Sequence, residues 1–311
     1  MLYNKELIFE KEPYYYKTWT SSTPGYIIFL VDQSSSMNEV YHEKGNKAAF
    51  TAMSINRIIN EIIICNMSGD KVIDRVFISL LGYGDKGGDS VYEIRSDYLR
   101  NFSENPLCTE KGKAKIADCN GGIIEIDIEN PIFIEPVSNG FSPMGSALEL
   151  ARRLIMAWMS KKPYSSMPII INISDGLAYN KDGTDEKTKV IQEANAIMSL
   201  LNSEGESPLI FNALIGAGYD KHLFCENENE LNDERAKFLF KISSKLPESF
   251  KISGMKCELS MKSGSRGFIS NVDIERFLHL FNFNGDYCYW FESQANRDRI
   301  NCELNSIISK F

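Results

Sequence analysis

Four short runs constrain the fold more than any other feature: "YIIFLV" (26–31), "RVFISLLGYG" (75–84), "PIIINIS" (168–174) and "LIFNALIG" (209–216). Each is apolar at nearly every position and shows no alternation of apolar and polar residues. Such runs suit strands buried on both faces of a parallel sheet, because a strand with one wet face alternates. Between them the apolar residues fall at helical spacing. Residues 46–65 carry Ala48, Ala49, Ala52, Ile55, Ile59, Ile62 and Ile63, and residues 146–160 carry Ala147, Leu148, Ala151, Leu154, Ile155 and Trp158. Residues 186–202 repeat the stripe with Val190, Ile191, Ala194, Ile197, Met198 and Leu201, and two further helices are expected over 231–246 and 272–282. Strands alternating with helices of this length predict an α/β fold, doubly wound, with a mostly parallel central sheet, helices on both faces and one antiparallel edge strand.

Between the second strand and the helix at 146 lie "VYEIR" and "GGIIEIDIENPIFIEPV", the latter with a period of two. An antiparallel hairpin is expected there, one arm of it at the sheet edge, with 101–120 as a loop at its tip. The expected division is an N-terminal extension (1–24), a main domain (25–283, with an insertion over about 85–135) and a C-terminal extension (284–311). The tyrosines at 14–16 and Trp19 are expected to pack the N-terminal arm onto the domain, with a contact surface for a partner as the alternative.

Composition removes several function classes. A net charge of −8 and a pI of about 5.2 oppose nucleic-acid binding, which needs clustered Lys and Arg. The acidic stretch "ENENELNDE" (226–234) reads as a solvated loop or helix start. No run of about 18 residues is apolar throughout and the N-terminus has no apolar core of a signal peptide, so neither a membrane span nor secretion is expected. Seven cysteines at irregular spacing, without a CxxC pair, fit reduced thiols in a cytoplasm.

In an open α/β sheet, ligands bind at the carboxyl ends of the strands. The first strand is followed by "DQSSS", which delivers Asp32, Ser34 and Ser36. "PIIINIS" is followed by Asp175 and Gly176, and the loop "NGFSPMG" before the helix at 146 places Ser142 at the same edge. Two carboxylates and three hydroxyls, with no His or Cys, form an all-oxygen set suited to a hard cation: Mg²⁺ ahead of Mn²⁺ or Ca²⁺.

"DQSSS", "SPMGSAL" and "ISDG", in this order on alternating strands and helices, resemble the von Willebrand factor A domain and its metal-ion-dependent adhesion site, in the form of the bacterial stand-alone members. The likeness covers about residues 25–283, including "GSRGFISNVDIERFL" (264–278) as the last strand and helix. Ser142 stands where that family usually has threonine, keeping the hydroxyl. The resemblance implies a binding module with no enzymatic activity. Asp32, Ser34, Ser36, Ser142 and Asp175 would hold the metal, and a Glu or Asp of a partner protein would complete its coordination. It also implies the company of a protein kinase and phosphatase or of AAA+ ATPases, in signalling, stress-response or defence complexes, without nucleic acid or membrane.

Two other classes compete. A structural subunit with a vestigial site would bind its partner without metal. A Mg²⁺-dependent phosphohydrolase would use Asp32, but Ser34 stands where a second aspartate is needed and no Gly-x-x-x-x-Gly-Lys-Ser/Thr loop is present. His42, His222 and His279 lie in a loop, a polar segment and a helix, so no general base is evident.

Overall fold

The fold is given by a computed structural model that describes residues 19–41, 45–117, 123–216, 220–247, 250 and 261–271. In chain order its elements are β1 (Gly25–Asp32), α1 (Lys47–Cys65), the short strands β2 (Met67–Ser68) and β3 (Lys71–Val72), β4 (Val76–Lys86), β5 (Asp89–Tyr98) and α2 (Leu99–Glu104). There follow β6 (Cys108–Ala117), β7 (Ile123–Ile132), α3 (Met144–Lys161), β8 (Ile169–Ser174), α4 (Lys187–Met198), β9 (Leu209–Leu214), β10 (His222–Leu223), α5 (Glu234–Lys241) and β11 (Phe268–Ser270).

Seven strands form one sheet in the order β10-β11-β9-β8-β1-β4-β5. The five inner strands are parallel, β1 pairing with β4 on one side and with β8 on the other. Every residue of β1 is buried, which is why its sequence does not alternate. Its odd positions Ile27, Phe29 and Val31 join a core with Ile55, Ile59 and Ile62 of α1 and Phe102 of α2. Its even positions Tyr26, Ile28 and Leu30 join a second core with Leu148 and Ile155 of α3, Val190 and Ile197 of α4 and Leu239 of α5. By length and composition alone α1 could cross a bilayer, but 61% of its most apolar window is buried, and the helix packs on the sheet.

The doubly wound α/β expectation stands, with four local corrections. Both edges are antiparallel, not one: β5 runs against β4, and β10 runs against β11. "VYEIR" lies within the edge strand β5, but its hairpin partner is β4; "IIEIDIENPI" (123–132) pairs instead with β6 in a separate two-stranded ribbon. The segment read as a loop tip therefore holds α2 and β6. The polar "TEKGK" hides a strand that never enters a core, so the strand signal of alternating burial is missing. Helix α4 ends at Met198 with Leu201 exposed beyond it, and α5 spans only Glu234–Lys241. Apolar spacing overran α5 because Ile242 and Leu246 are buried from the segment after it, outside any helix.

The acidic 226–234 stretch, read as a loop or helix start, is loop with a 3₁₀ turn at Glu228–Glu230 and ends in the start of α5: Asp233 caps that helix, accepting hydrogen bonds from the backbone of Arg235 and Ala236. Trp19 is buried and packs so closely on Gly25 that a Cβ there would lie 2.0 Å from the indole. The tyrosines at 14–16, the helix expected over 272–282 and both extensions beyond residues 19 and 271 lie outside the described residues.

Candidate functional site

The site forms where β1, β4 and β8 end. After Asp32 the chain turns into a short 3₁₀ turn (Ser35–Asn38), fastened by Met37, whose side chain is fully buried. The turn folds Ser34 back on Asp32: Oδ1 accepts the Ser34 amide at 3.0 Å and its hydroxyl at 2.6 Å. Ser34 Oγ lies 3.1 Å from Ser36 Oγ, so alternate residues of "DQSSS" converge as their spacing suggests.

Backbone hydrogen bonds bring the second loop alongside. The Ser35 amide donates to the Gly140 carbonyl at 3.0 Å, and the Asn139 amide to the Gln33 carbonyl at 2.6 Å. This approach requires glycine at 140, where φ is +78° and a Cβ would lie 2.3 Å from that of Asp85. Ser142 then pairs with Tyr179 in a backbone bridge. Its hydroxyl lies 2.8 Å from the Leu177 carbonyl and 3.3 Å from Asp32 Oδ2. Its single proton belongs to the nearer acceptor, so two electron-rich oxygens face each other across the longer distance. Glu186, itself buried, accepts from the Gly145 amide at 2.9 Å and places a carboxylate at the start of α3.

From β8, Ser174 donates to Asp32 Oδ2 at 2.7 Å and accepts the Gly176 amide at 2.9 Å. Asp175 is fully buried; Oδ1 accepts the Leu177 amide at 3.2 Å and Oδ2 receives Lys47 Nζ at 3.1 Å. Lys47, the first residue of α1, also reaches Glu39 Oε2 at 2.6 Å. Burial and then the neighbouring charge of Asp175 push the Asp32 carboxyl up to about 7, against the pull of its hydrogen bonds from Ser34 and Ser174. Burial alone would lower the Lys47 ammonium; its contacts with Glu39 and Asp175 outweigh this and raise it.

All five residues singled out in the sequence thus meet at one sheet edge. Four are buried and Ser36 is half-buried. Among the described residues no three His, Cys, Asp or Glu side chains gather at one point, so the donor set is two carboxylates with hydroxyls. That set suits a hard cation: Lys47 pairs with Asp175 and with Glu39, so the two buried carboxylates are short of positive charge. Sequence reasoning missed Ser174, Glu186 and Lys47. A lysine opening a helix opposes the helix dipole, and that mismatch was the available signal for Lys47. Beside the site, Lys47, Glu39, His222, Asp233 and Arg235 line a cleft of about 500 Å³.

Neither a protein-family model nor a curated protein sequence matches this chain. Among solved structures, a fragment of three N-terminal domains of the type V pili tip protein Mfa5 from Porphyromonas gingivalis is similar at 19% identity, over 50% of this chain and 20% of that one, with a TM-score of 0.30. The vWF domain of the same protein matches at 17% identity, over 50% and 39%, with a TM-score of 0.29. The pilus adhesin RrgA from Streptococcus pneumoniae matches at 14% identity, over 53% and 22%, with a TM-score of 0.27. The matched region spans well under two thirds of each of those chains, and the α/β assignment of the present chain rests on its own strand order.

Proposed function

We propose that this chain is a metal-ion-dependent protein-interaction module. Asp32, Ser34, Ser36, Ser142 and Asp175 would hold a Mg²⁺ ion, with Mn²⁺ or Ca²⁺ as substitutes, and an Asp or Glu of a partner protein would complete the coordination. The observation that carries this reading is the burial of Asp32 and Asp175 together within a ring of hydroxyls. Two carboxylates in one dry place repel each other, and such pairs are retained where a cation joins them. The bound cation would supply a Lewis-acidic position for an incoming carboxylate. The chain's own residues do the rest: Ser34 and Ser174 orient the two oxygens of Asp32, Lys47 holds Asp175, and the Gly140 turn keeps Ser142 in reach. The set holds no histidine, and Ser34 stands where a phosphohydrolase of the kind considered above needs a second aspartate, which supports a binding role over hydrolysis. The motif order is that of von Willebrand factor A domains, and a cytoplasmic setting beside kinase, phosphatase or AAA+ ATPase components belongs to the same proposal.

One observation favours a second reading. Lys47 already supplies a positive charge to Asp175, as a vestigial site in a structural subunit would need. Thermal unfolding separates the two. Under the first reading Mg²⁺ at a hundred times its Kd stabilises the protein by about 2.7 kcal/mol relative to EDTA, and Asp32→Ala abolishes the response. A tagged protein should also retain a partner from native lysate in Mg²⁺ and lose it in EDTA or with Asp32→Ala. No Mg²⁺ response, with the partner retained in EDTA, would make the site vestigial.

A further inference from the structure

Behind the site runs a line of buried polar side chains that the metal loops do not account for. Tyr83, the register partner of Asp32 on β4, is fully buried, and its hydroxyl lies against Ser174, whose own proton goes to Asp32. That hydroxyl donates to Asn172 Oδ1 at 2.9 Å on β8. Asn172 Nδ2 donates to Asn212 Oδ1 at 2.9 Å on β9, its in-register neighbour. Asn212 Nδ2 donates to Ser243 Oγ at 2.9 Å, and Ser243 donates to the Leu239 carbonyl at 2.8 Å near the C-terminal end of α5. Asn172, Asn212 and Ser243 are each no more than 1% exposed.

The direction of this chain is fixed by its chemistry. An amide nitrogen only donates and an amide oxygen only accepts, so the Asn172–Asn212 bond aligns every proton the same way, from the site toward α5. Aligned bonds in a dry interior polarise one another. The electron-rich end of the series is the Tyr83 oxygen, beside Ser174 and Asp32. A buried polar chain of this length is costly unless fully satisfied, and an apolar ladder would fill the same space. Resting on the metal-binding reading above, we infer that Tyr83, Asn172, Asn212 and Ser243 are positioning residues for the site. They hold a hydroxyl dipole, negative end forward, against the Ser174–Asp32 pair, and so raise the affinity for a cation.

The same sheet provides the control. Tyr26, at the opposite end of β1, is also buried, and its hydroxyl pairs with Ser79 at 2.9 Å without reaching the site. The experiment measures the Mg²⁺ concentration at the midpoint of thermal stabilisation for the wild-type chain, Tyr83→Phe and Tyr26→Phe. Both variants lose a buried hydrogen bond and some stability. The inference predicts that only Tyr83→Phe raises the Mg²⁺ midpoint, by three-fold or more. Equal midpoints for the two variants would overturn it. If Tyr83→Phe does not fold, Ser243→Ala, at the far end of the chain, carries the test: a midpoint raised about two-fold supports the inference and an unchanged one overturns it. A wild-type chain with no Mg²⁺ response would instead overturn the metal reading on which this rests.

Discussion

Lys47 concentrates the electrostatic problem of the site in one residue. It is 3% exposed, opens a helix whose dipole repels it, and bridges a fully buried Asp175 and a Glu39 that is 66% exposed. The pair with Glu39 contributes little, because water screens it. The pair with Asp175 differs, since removing one partner leaves the other charged and dry. Lys47→Met should therefore destabilise the protein by about 3 kcal/mol in EDTA. If a cation occupies the neighbouring oxygens, it neutralises the abandoned carboxylate, and the loss in saturating Mg²⁺ should be clearly smaller. Urea unfolding in the two buffers measures both values. An identical loss in each would mean that Lys47 and the cation site are independent, contrary to the geometry that joins them through Asp175.

At the scale of elements, the loop that delivers Ser142 depends on a staple from α1. Asn56 accepts the amides of Phe133 and Ile134 at 2.8 and 3.0 Å and donates to the Ile134 carbonyl at 3.0 Å, all buried. Asn56→Ala orphans three backbone groups and should cost about 3 kcal/mol, with a weakened Mg²⁺ response as the loop loosens. Equilibrium denaturation with and without Mg²⁺ checks both, and a loss under about 1 kcal/mol would show that water replaces the staple. This staple also marks what the sequence could reveal. The ends of β1 and β8 were legible because a carboxylate straight after a buried strand is conspicuous, and Asp32 and Asp175 follow from that alone. Asn56, Ser174 and Glu186 were not legible, because each works through a partner chosen by the fold. Ser174 and Asp32 are 142 residues apart, and nothing local to either announces the other. The end of α5 failed for a related reason: Ile242 is buried in the same core as α5 and Leu246 in the other core, both from the segment after the helix, and spacing alone cannot tell such residues from a last helical turn.

At the scale of the molecule, the β6–β7 ribbon stands apart from the two cores. One face places lysines opposite acids in register, Lys111 with Glu129 and Lys113 with Asp127. The ion pair between Lys113 and Glu125, 2.9 Å long and largely exposed, adds little to stability. The other face carries Ile124 and Ile126, 43% and 37% exposed. An isolated two-stranded ribbon is marginal by itself, and its base is closed by the Leu107 amide donating to the Ile132 carbonyl at 2.7 Å. Cys108 and Ile132 are register partners at that base, placed as the ends of a tight hairpin. Replacing residues 109–131 by Asn-Gly should therefore change the unfolding free energy by less than about 1 kcal/mol, since the described side chains removed are mostly exposed and a two-residue turn matches the strand twist. The excised protein should keep the Mg²⁺ response of the intact chain, because no residue of the ribbon bonds to Asp32, Ser34, Ser142 or Asp175 in the contacts described above. Chemical denaturation and Mg²⁺-dependent thermal unfolding of the excised chain test the two halves of this expectation. Loss of cooperative unfolding would instead place the ribbon within the folding unit. Retention of both properties would make the metal site and the ribbon separable, so that partner binding could be assigned to one or the other by comparing the excised chain with Asp32→Ala.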